Sequence, residues 1–231
     1  MKLEFFPSDK PNKTGVLVVP GGGYAGVAID HEGYQIARWL NERGFDAWVL
    51  TYTTISAQTP SPIYPAPQNE ALDAIKQIRA QNRVEKLGIW GFSAGGHLSA
   101  VTVTNPDAHL DFGVLAYAVI SMEPGVTHGG SRHNLIGDNP DPVLQKSLSA
   151  QNRVSLQTPP IFLFHTANDG AVPVQNTLLF AAAMAEHRRP FATLILPDGP
   201  HGVGLALNNP KLNWSGELDR WLKDFIAQEN K

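Results

Sequence analysis

Ser93 stands in Gly91-Phe92-Ser93-Ala94-Gly95, between an apolar run (Leu87 to Trp90) and a helix-like run (His97 to Val103). This is the sequence form of a strand that ends in a sharp elbow and passes directly into a helix, with the serine hydroxyl pushed out at the turn. Glycines two residues to either side fit such a turn because a Cβ there would crowd it. Gly-x-Ser-x-Gly also arises by chance in glycine-rich loops. Its weight therefore depends on whether the rest of the chain supplies a sheet to carry the elbow.

The chain supplies one. Leu3 to Phe6 reads as a short edge strand closed by Pro7, and Gly15 to Val19 as a buried strand that ends at Pro20-Gly21-Gly22-Gly23-Tyr24. Helical spacing over Ile29 to Asn41 stops at Gly44, and Phe45 to Tyr52 is the next strand. A proline-rich loop, Thr53 to Pro67, leads to a helix over Pro67 to Arg79. Lys86 to Trp90 is the strand into the elbow, Ala94 to Thr104 the helix out of it, and Phe112 to Ile120 a further strand. Ser121 to Pro159 reads mostly as loop with one or two short helices, Asp141 to Ser149 the better candidate. Strand Pro160 to His165, helix Pro173 to His187, strand Phe191 to Leu196 and helix Trp214 to Gln228 complete the order. Strands alternating with helices predict an α/β fold: a mostly parallel twisted sheet with helices on both faces and right-handed crossovers. Ligands of such sheets bind beyond the carboxyl ends of the strands.

At 231 residues, 42% of them hydrophobic, the chain can bury the core of one α/β domain over 1–231. A net charge of −3 without any basic run argues against nucleic acid and anionic membrane surfaces as partners. The absence of cysteine excludes a disulfide framework, a thiolate nucleophile and a cysteine zinc site. Met1 to Lys10 has no apolar signal region, and no run approaches a membrane span, so the expected compartment is the cytoplasm. His128, His133 and Asp138 lack a recognised metal-ligand spacing, so neither metal nor cofactor is expected. Leu3 to Phe6 and Trp214 to Phe225 are candidate surfaces for a homo-oligomer, with core packing as their alternative use.

A serine needs a base, and the base a carboxylate to orient it. His201, in Pro197-Asp198-Gly199-Pro200-His201-Gly202, lies in a loop after the last strand, downstream of Ser93. Asp169 lies just past the strand Pro160 to Phe164. The order serine, acid, histidine is the one that accompanies an elbow of this kind. Asp198 is a rival acid but is better placed to shape the histidine turn. His97, one helical turn past the elbow, reads as a packed residue, and His165 as a partner of the acid loop. An oxyanion would be met by the Ala94 N–H at a helix N-terminus and by Gly22 and Gly23, whose backbone can turn two N–H groups toward one point. Tyr24, Tyr64, Met122, Glu123 and the segment Thr127 to His133 are candidate substrate-binding walls, while Trp90 reads as core.

Pro20-Gly21-Gly22-Gly23-Tyr24, Gly91 to Leu98, Asp169-x-x-Val172-Pro173 and His201-Gly202 together resemble the α/β-hydrolase fold over nearly the whole chain. More narrowly, they resemble bacterial esterases related to acetyl-xylan esterases and to the hormone-sensitive-lipase-like group. The resemblance implies Ser93 as nucleophile, Asp169 as acid, His201 as base, and Gly22, Gly23 and Ala94 as oxyanion donors. The chain departs from the lipase-like pattern at Pro20, where that group has histidine, and little chain precedes the first buried strand. A minimal cap and an open site are therefore expected, with Ser121 to Pro159 as the main wall. The implied activity is hydrolysis of short acyl esters, acetyl esters of carbohydrates such as xylo-oligosaccharides above all. An amide or peptide hydrolase of the same fold is the alternative, and a non-catalytic binding protein on this fold the third.

Overall fold

Strand β2 (Thr14–Val19) is buried on both faces, and its alternate residues feed two separate cores. Leu17 and Val19 enter one; Val16 and Val18 enter the other. The same split recurs in β4 (Lys86–Phe92), where Leu87 and Ile89 face one side and Trp90 and Phe92 the other. Successive side chains of a strand point to opposite faces, so a strand that is apolar throughout needs cover on both.

The computed structural model describes residues 1–228. Around β2 and β4 lie β1 (Lys2–Phe6), β3 (Asp46–Thr51), β5 (Phe112–Ala116), β6 (Ile161–Thr166) and β7 (Phe191–Leu196), in the order β1-β3-β2-β4-β5-β6-β7. Among the described strands only the edge strand β1 runs antiparallel, with Phe5 opposite Trp48. The first core is covered by α2 (Ala66–Ala80), α3 (Ser93–Val103) and α6 (Gln175–Glu186), through residues such as Ile75, Leu98 and Phe180. The second is covered by α1 (Gln35–Asn41) and α7 (Ser215–Gln228), through Ile36, Leu40, Leu218 and Leu222. The apolar face of α7 is thus spent on the core, and Trp214 stacks on Phe164 at 4.3 Å between ring centroids. No helix among the described residues is long and apolar enough to cross a membrane.

Two boundaries differ from the sequence reading by more than two residues, and the loop expected to hold one or two short helices holds two. Strand β5 stops at Ala116, because Tyr117 takes φ 36° and leaves the extended conformation. The helix expected over Ile29 to Asn41 opens as one wide turn, Asp30–Tyr34, before α1. The long loop after β5 contains two helices: α4 (Gly129–Ile136), which begins on two glycines, and α5 (Pro142–Leu148), capped by the Asp141 carboxylate. Asn176 anchors the start of this loop, accepting from the Ile120 and Ser121 N–H groups and donating to Val126 O.

Candidate active site

The elbow forms where β4 becomes α3 without an intervening loop. Ser93 sits at φ 52°, a conformation that is strained for a residue with a side chain and that holds its Oγ clear of both elements. The neighbouring glycines permit the close contacts this requires. A Cβ on Gly91 would lie 2.2 Å from Ser99 Oγ, and one on Gly95 would lie 2.2 Å from the Pro20 carbonyl oxygen at the end of β2.

The structure brings Ser93, on the elbow, together with Asp169 and His201, on the loops after β6 and β7. Ser93 Oγ lies 2.8 Å from His201 Nε2, and His201 Nδ1 lies 2.7 Å from Asp169 Oδ2. An ionised carboxylate only accepts, so Nδ1 carries the imidazole proton and Nε2 accepts from the serine hydroxyl. Asp169 is buried, and burial alone would raise its pKa. The hydrogen bonds from His165 and His201 and from the Val172 and Ala171 N–H groups outweigh burial and hold the carboxyl well below the usual carboxylate range. His165 donates from Nε2 to Val172 O (2.9 Å) and toward Asp169 Oδ2 (3.4 Å), so it braces the acid loop. Among the described residues no hydrogen bond or ion pair joins Asp198 to His201; Asp198 accepts from Asn168 Nδ2 and so joins the acid loop to the histidine turn. A hydroxyl, an imidazole and an ionised carboxylate in this geometry can strip a proton from the hydroxyl as it attacks an electrophile.

Beside Ser93 runs the glycine loop. Gly22 takes φ 134° and Gly23 φ 67°, and among the described residues their N–H groups have no acceptor. Ala94 is at the N-terminus of α3, where backbone N–H groups have no partner inside the helix. Gly22, Gly23, Ser93, His128, Asn134 and His201 line a cavity of about 510 Å³. No group of three or more His, Asp or Glu among the described residues is placed to hold a metal ion.

Four expected wall residues lie elsewhere. Tyr24 is fully buried: its φ of 59° turns the ring under the sheet end, where the hydroxyl lies 2.8 Å from His97 Nδ1. Met122 is fully buried in the core. Glu123 faces Gln145, whose Nε2 donates to it at 2.6 Å. Tyr64 lies on another surface hollow, with Leu72, Val101 and Arg153. His128 and Gly130, from the expected segment Thr127 to His133, do line the cavity, together with Asn134 of α4, which was not expected and whose Nδ2 donates to Gly23 O at 2.8 Å. Proximity in sequence to the glycines pointed to Tyr24; the rigid backbone there points the side chain the other way.

His97 is the packed residue it was expected to be. Its Nε2 donates to Leu148 O at 2.8 Å, so its Nδ1 accepts from the Tyr24 hydroxyl. Burial pushes its pKa down to about 4, against the opposing effect of the Leu148 bond. A histidine held neutral while its unfolded form protonates near 6.5 destabilises the fold as pH falls through that range. The unfolding free energy is therefore expected to decline by about 3 kcal/mol between pH 7 and pH 4. Urea midpoints measured across that range check this, and midpoints that stay flat down to pH 4.5 would contradict it.

The model of the prolyl oligopeptidase family matches residues 66–229, a span that holds Ser93, Asp169 and His201. The chain belongs to that family. Among its relatives, it is 33% identical over 231 residues to an acetylxylan esterase of Xylanibacter ruminicola, covering 95% of this chain and 46% of that protein. It is 34% identical over 230 residues to endo-1,4-beta-xylanase B of Butyrivibrio fibrisolvens, covering 92% of this chain and 36% of that protein. The chain thus spans less than half the length of these curated relatives. Among solved structures, an acetyl ester-xyloside bifunctional hydrolase from Caldicellulosiruptor lactoaceticus superposes with a TM-score of 0.87 at 37% identity, covering 96% of this chain and 87% of that one. The architecture is the α/β-hydrolase fold that the sequence motifs implied.

Proposed function

We propose that residues 1–231 form one α/β-hydrolase domain, a serine esterase that removes short acyl groups, acetyl above all, from carbohydrate esters. The observation that carries this reading is the unbroken hydrogen-bond line from Ser93 Oγ through His201 to the buried Asp169, beside a loop with two N–H groups that have no acceptor among the described residues. In the first half-reaction Ser93 Oγ bonds to the ester carbonyl carbon while its proton passes to His201 Nε2. Charge on the carbonyl oxygen is met by the N–H groups of Gly22, Gly23 and Ala94. The carbon–alcohol bond then breaks, and His201 returns the proton to the departing alcohol oxygen. Water repeats the sequence on the acyl-enzyme, giving its proton to His201 and releasing the carboxylic acid, so that Ser93 recovers its hydrogen.

The names of the relatives support an acetylated sugar as the ester. The cavity of about 510 Å³ walled by His128, Gly130 and Asn134 supports a small acyl group on a larger polar alcohol. The family description favours a second reading, hydrolysis of an amide or peptide bond. One panel decides between them: acetate release from acetylated xylo-oligosaccharides, p-nitrophenyl esters of increasing acyl length, and dipeptide p-nitroanilides. The expected result is acetate release from the sugars, with kcat/KM on the esters falling by at least ten-fold from acetyl to octanoyl. Faster turnover of the anilides than of the acetyl esters would replace this reading with the peptidase one.

A further inference from the structure

Glu32 is a buried carboxylate at the edge of the cavity, and the reaction just described does not use it. Its Oε2 accepts from the Gly21 N–H at 2.7 Å, and its Oε1 accepts from the Tyr117 hydroxyl at 2.7 Å. The Tyr117 hydroxyl in turn accepts from the Gly204 N–H at 2.9 Å. Gly204 O accepts from Trp214 Nε1 at 2.7 Å, which fixes the far side of the same turn. The Tyr117 ring meets the His201 ring edge to face, with centroids 5.0 Å apart. One carboxylate therefore joins the start of the glycine loop to the turn that carries His201, across 85 residues of sequence between Glu32 and Tyr117.

We propose that Glu32 is a positioning residue for the ester hydrolysis: it sets the glycine loop and the His201 turn at one distance from Ser93. A buried carboxylate is costly unless donors meet it, and both of its oxygens are met at short, charge-assisted distances. Its grip on the loop is close. A Cβ on Gly21 would stand 2.7 Å from Glu32 Oε2 and 2.9 Å from Ser93 Cβ, so the carboxylate, Gly21 and the elbow share one contact. Gly22, whose N–H has no acceptor among the described residues, is the next residue. Its carbonyl is tied to the Ala25 and Gly26 N–H groups and the Gly23 carbonyl to Asn134 Nδ2, while the bond from the Gly21 N–H to Glu32 holds the start of the loop against the elbow. Tyr117, at φ 36°, is held in a strained backbone conformation that aims its hydroxyl at Glu32. His31, beside Glu32, touches the same turn from outside, its Nε2 lying 3.2 Å from Gly202 O.

The proposal rests on the esterase reading, and the test separates the two. Wild type, Glu32→Gln, Glu32→Ala and Tyr117→Phe are titrated with a fluorophosphonate, so that every rate is expressed per reactive serine. Each is then assayed on p-nitrophenyl acetate and with a trifluoromethyl ketone, whose adduct carries an oxyanion. Displacing a reacting group by about 1 Å costs roughly 100-fold. Glu32→Gln and Glu32→Ala are therefore expected to lose about 100-fold in kcat per titrated site, with KM within about three-fold and ketone affinity falling in parallel with kcat. Tyr117→Phe is expected to lose about 10-fold, and adding it to Glu32→Ala is expected to cost little more, because both act through one bridge. A wild-type serine that does not label would overturn the esterase reading itself. A wild type that labels, with Glu32 variants whose kcat per site stays within two-fold or whose loss lies wholly in KM or in the number of active sites, would overturn this proposal alone.

Discussion

Replacing Ser93 with alanine is expected to reduce p-nitrophenyl acetate turnover by roughly 10⁴- to 10⁶-fold, the range over which removal of a nucleophile from a serine–histidine–carboxylate set acts. The residual rate would come from the glycine loop and from substrate binding alone. The same substitution is expected to change stability by only about 1 kcal/mol. Alanine keeps a Cβ at φ 52°, so the strain of the elbow is neither relieved nor increased, and only the bond from Oγ to His201 is lost. Steady-state rates together with urea midpoints check both halves. A variant that retains a tenth of wild-type turnover would remove Ser93 from the reaction. A large drop in the midpoint would mean that the serine is there for the fold.

Much of this arrangement was legible in the sequence because its signals are local. Short continuous apolar runs such as Gly15 to Val19 marked strands that are buried on both faces. The glycines at 91 and 95 announced a turn too tight for a Cβ, and the contacts a Cβ would make there are with Ser99 and Pro20. The positions of Asp169 and His201 beyond β6 and β7 follow from the rule that parallel strands present one common end. What was not legible is direction and long-range pairing. Tyr24 follows the glycines, but its left-handed backbone sends the ring away from the cavity, and no propensity encodes that. Helix α4 was hidden by its two opening glycines and its polar composition, and with it Asn134 as a wall residue, although His128 lay in the expected wall segment. The His128 side chain caps that helix, accepting from the Ser131 N–H, which is how a short and weakly helical segment is held against the site. Glu32 reads in sequence as one more charge in a helical run. Only the meeting of Gly21, Tyr117 and Gly204 in space gives its burial a purpose.

Asp169→Asn is the second large effect, and it isolates the role of a charge from the role of a shape. In the wild type, Asp169 Oδ1 accepts from the Ala171 and Val172 N–H groups, and Oδ2 faces His201 Nδ1. An asparagine keeps its oxygen on the two backbone N–H groups and so turns its amide NH₂ toward His201. Nδ1 must then accept, the ring proton moves to Nε2, and the nitrogen facing Ser93 can no longer take the serine's proton. A loss of about 10⁴-fold in kcat is expected, the size of effect that a reversed tautomer produces in such sites. A loss smaller than about 30-fold would show that Asp169 does not set the state of His201. The same pair of proteins reports on stability. Asp169 is held ionised well below the usual carboxylate range, so its contribution is fully present above the unfolded value of about 3.9 and is lost as pH falls below it. His97 titrates identically in both proteins and cancels from their difference. The gap in unfolding free energy between wild type and Asp169→Asn is therefore expected to narrow from pH 5 toward pH 2, as the Asp169 contribution is lost. A gap that widened in acid would have the wrong sign for a carboxylate stabilised by the four donors around it.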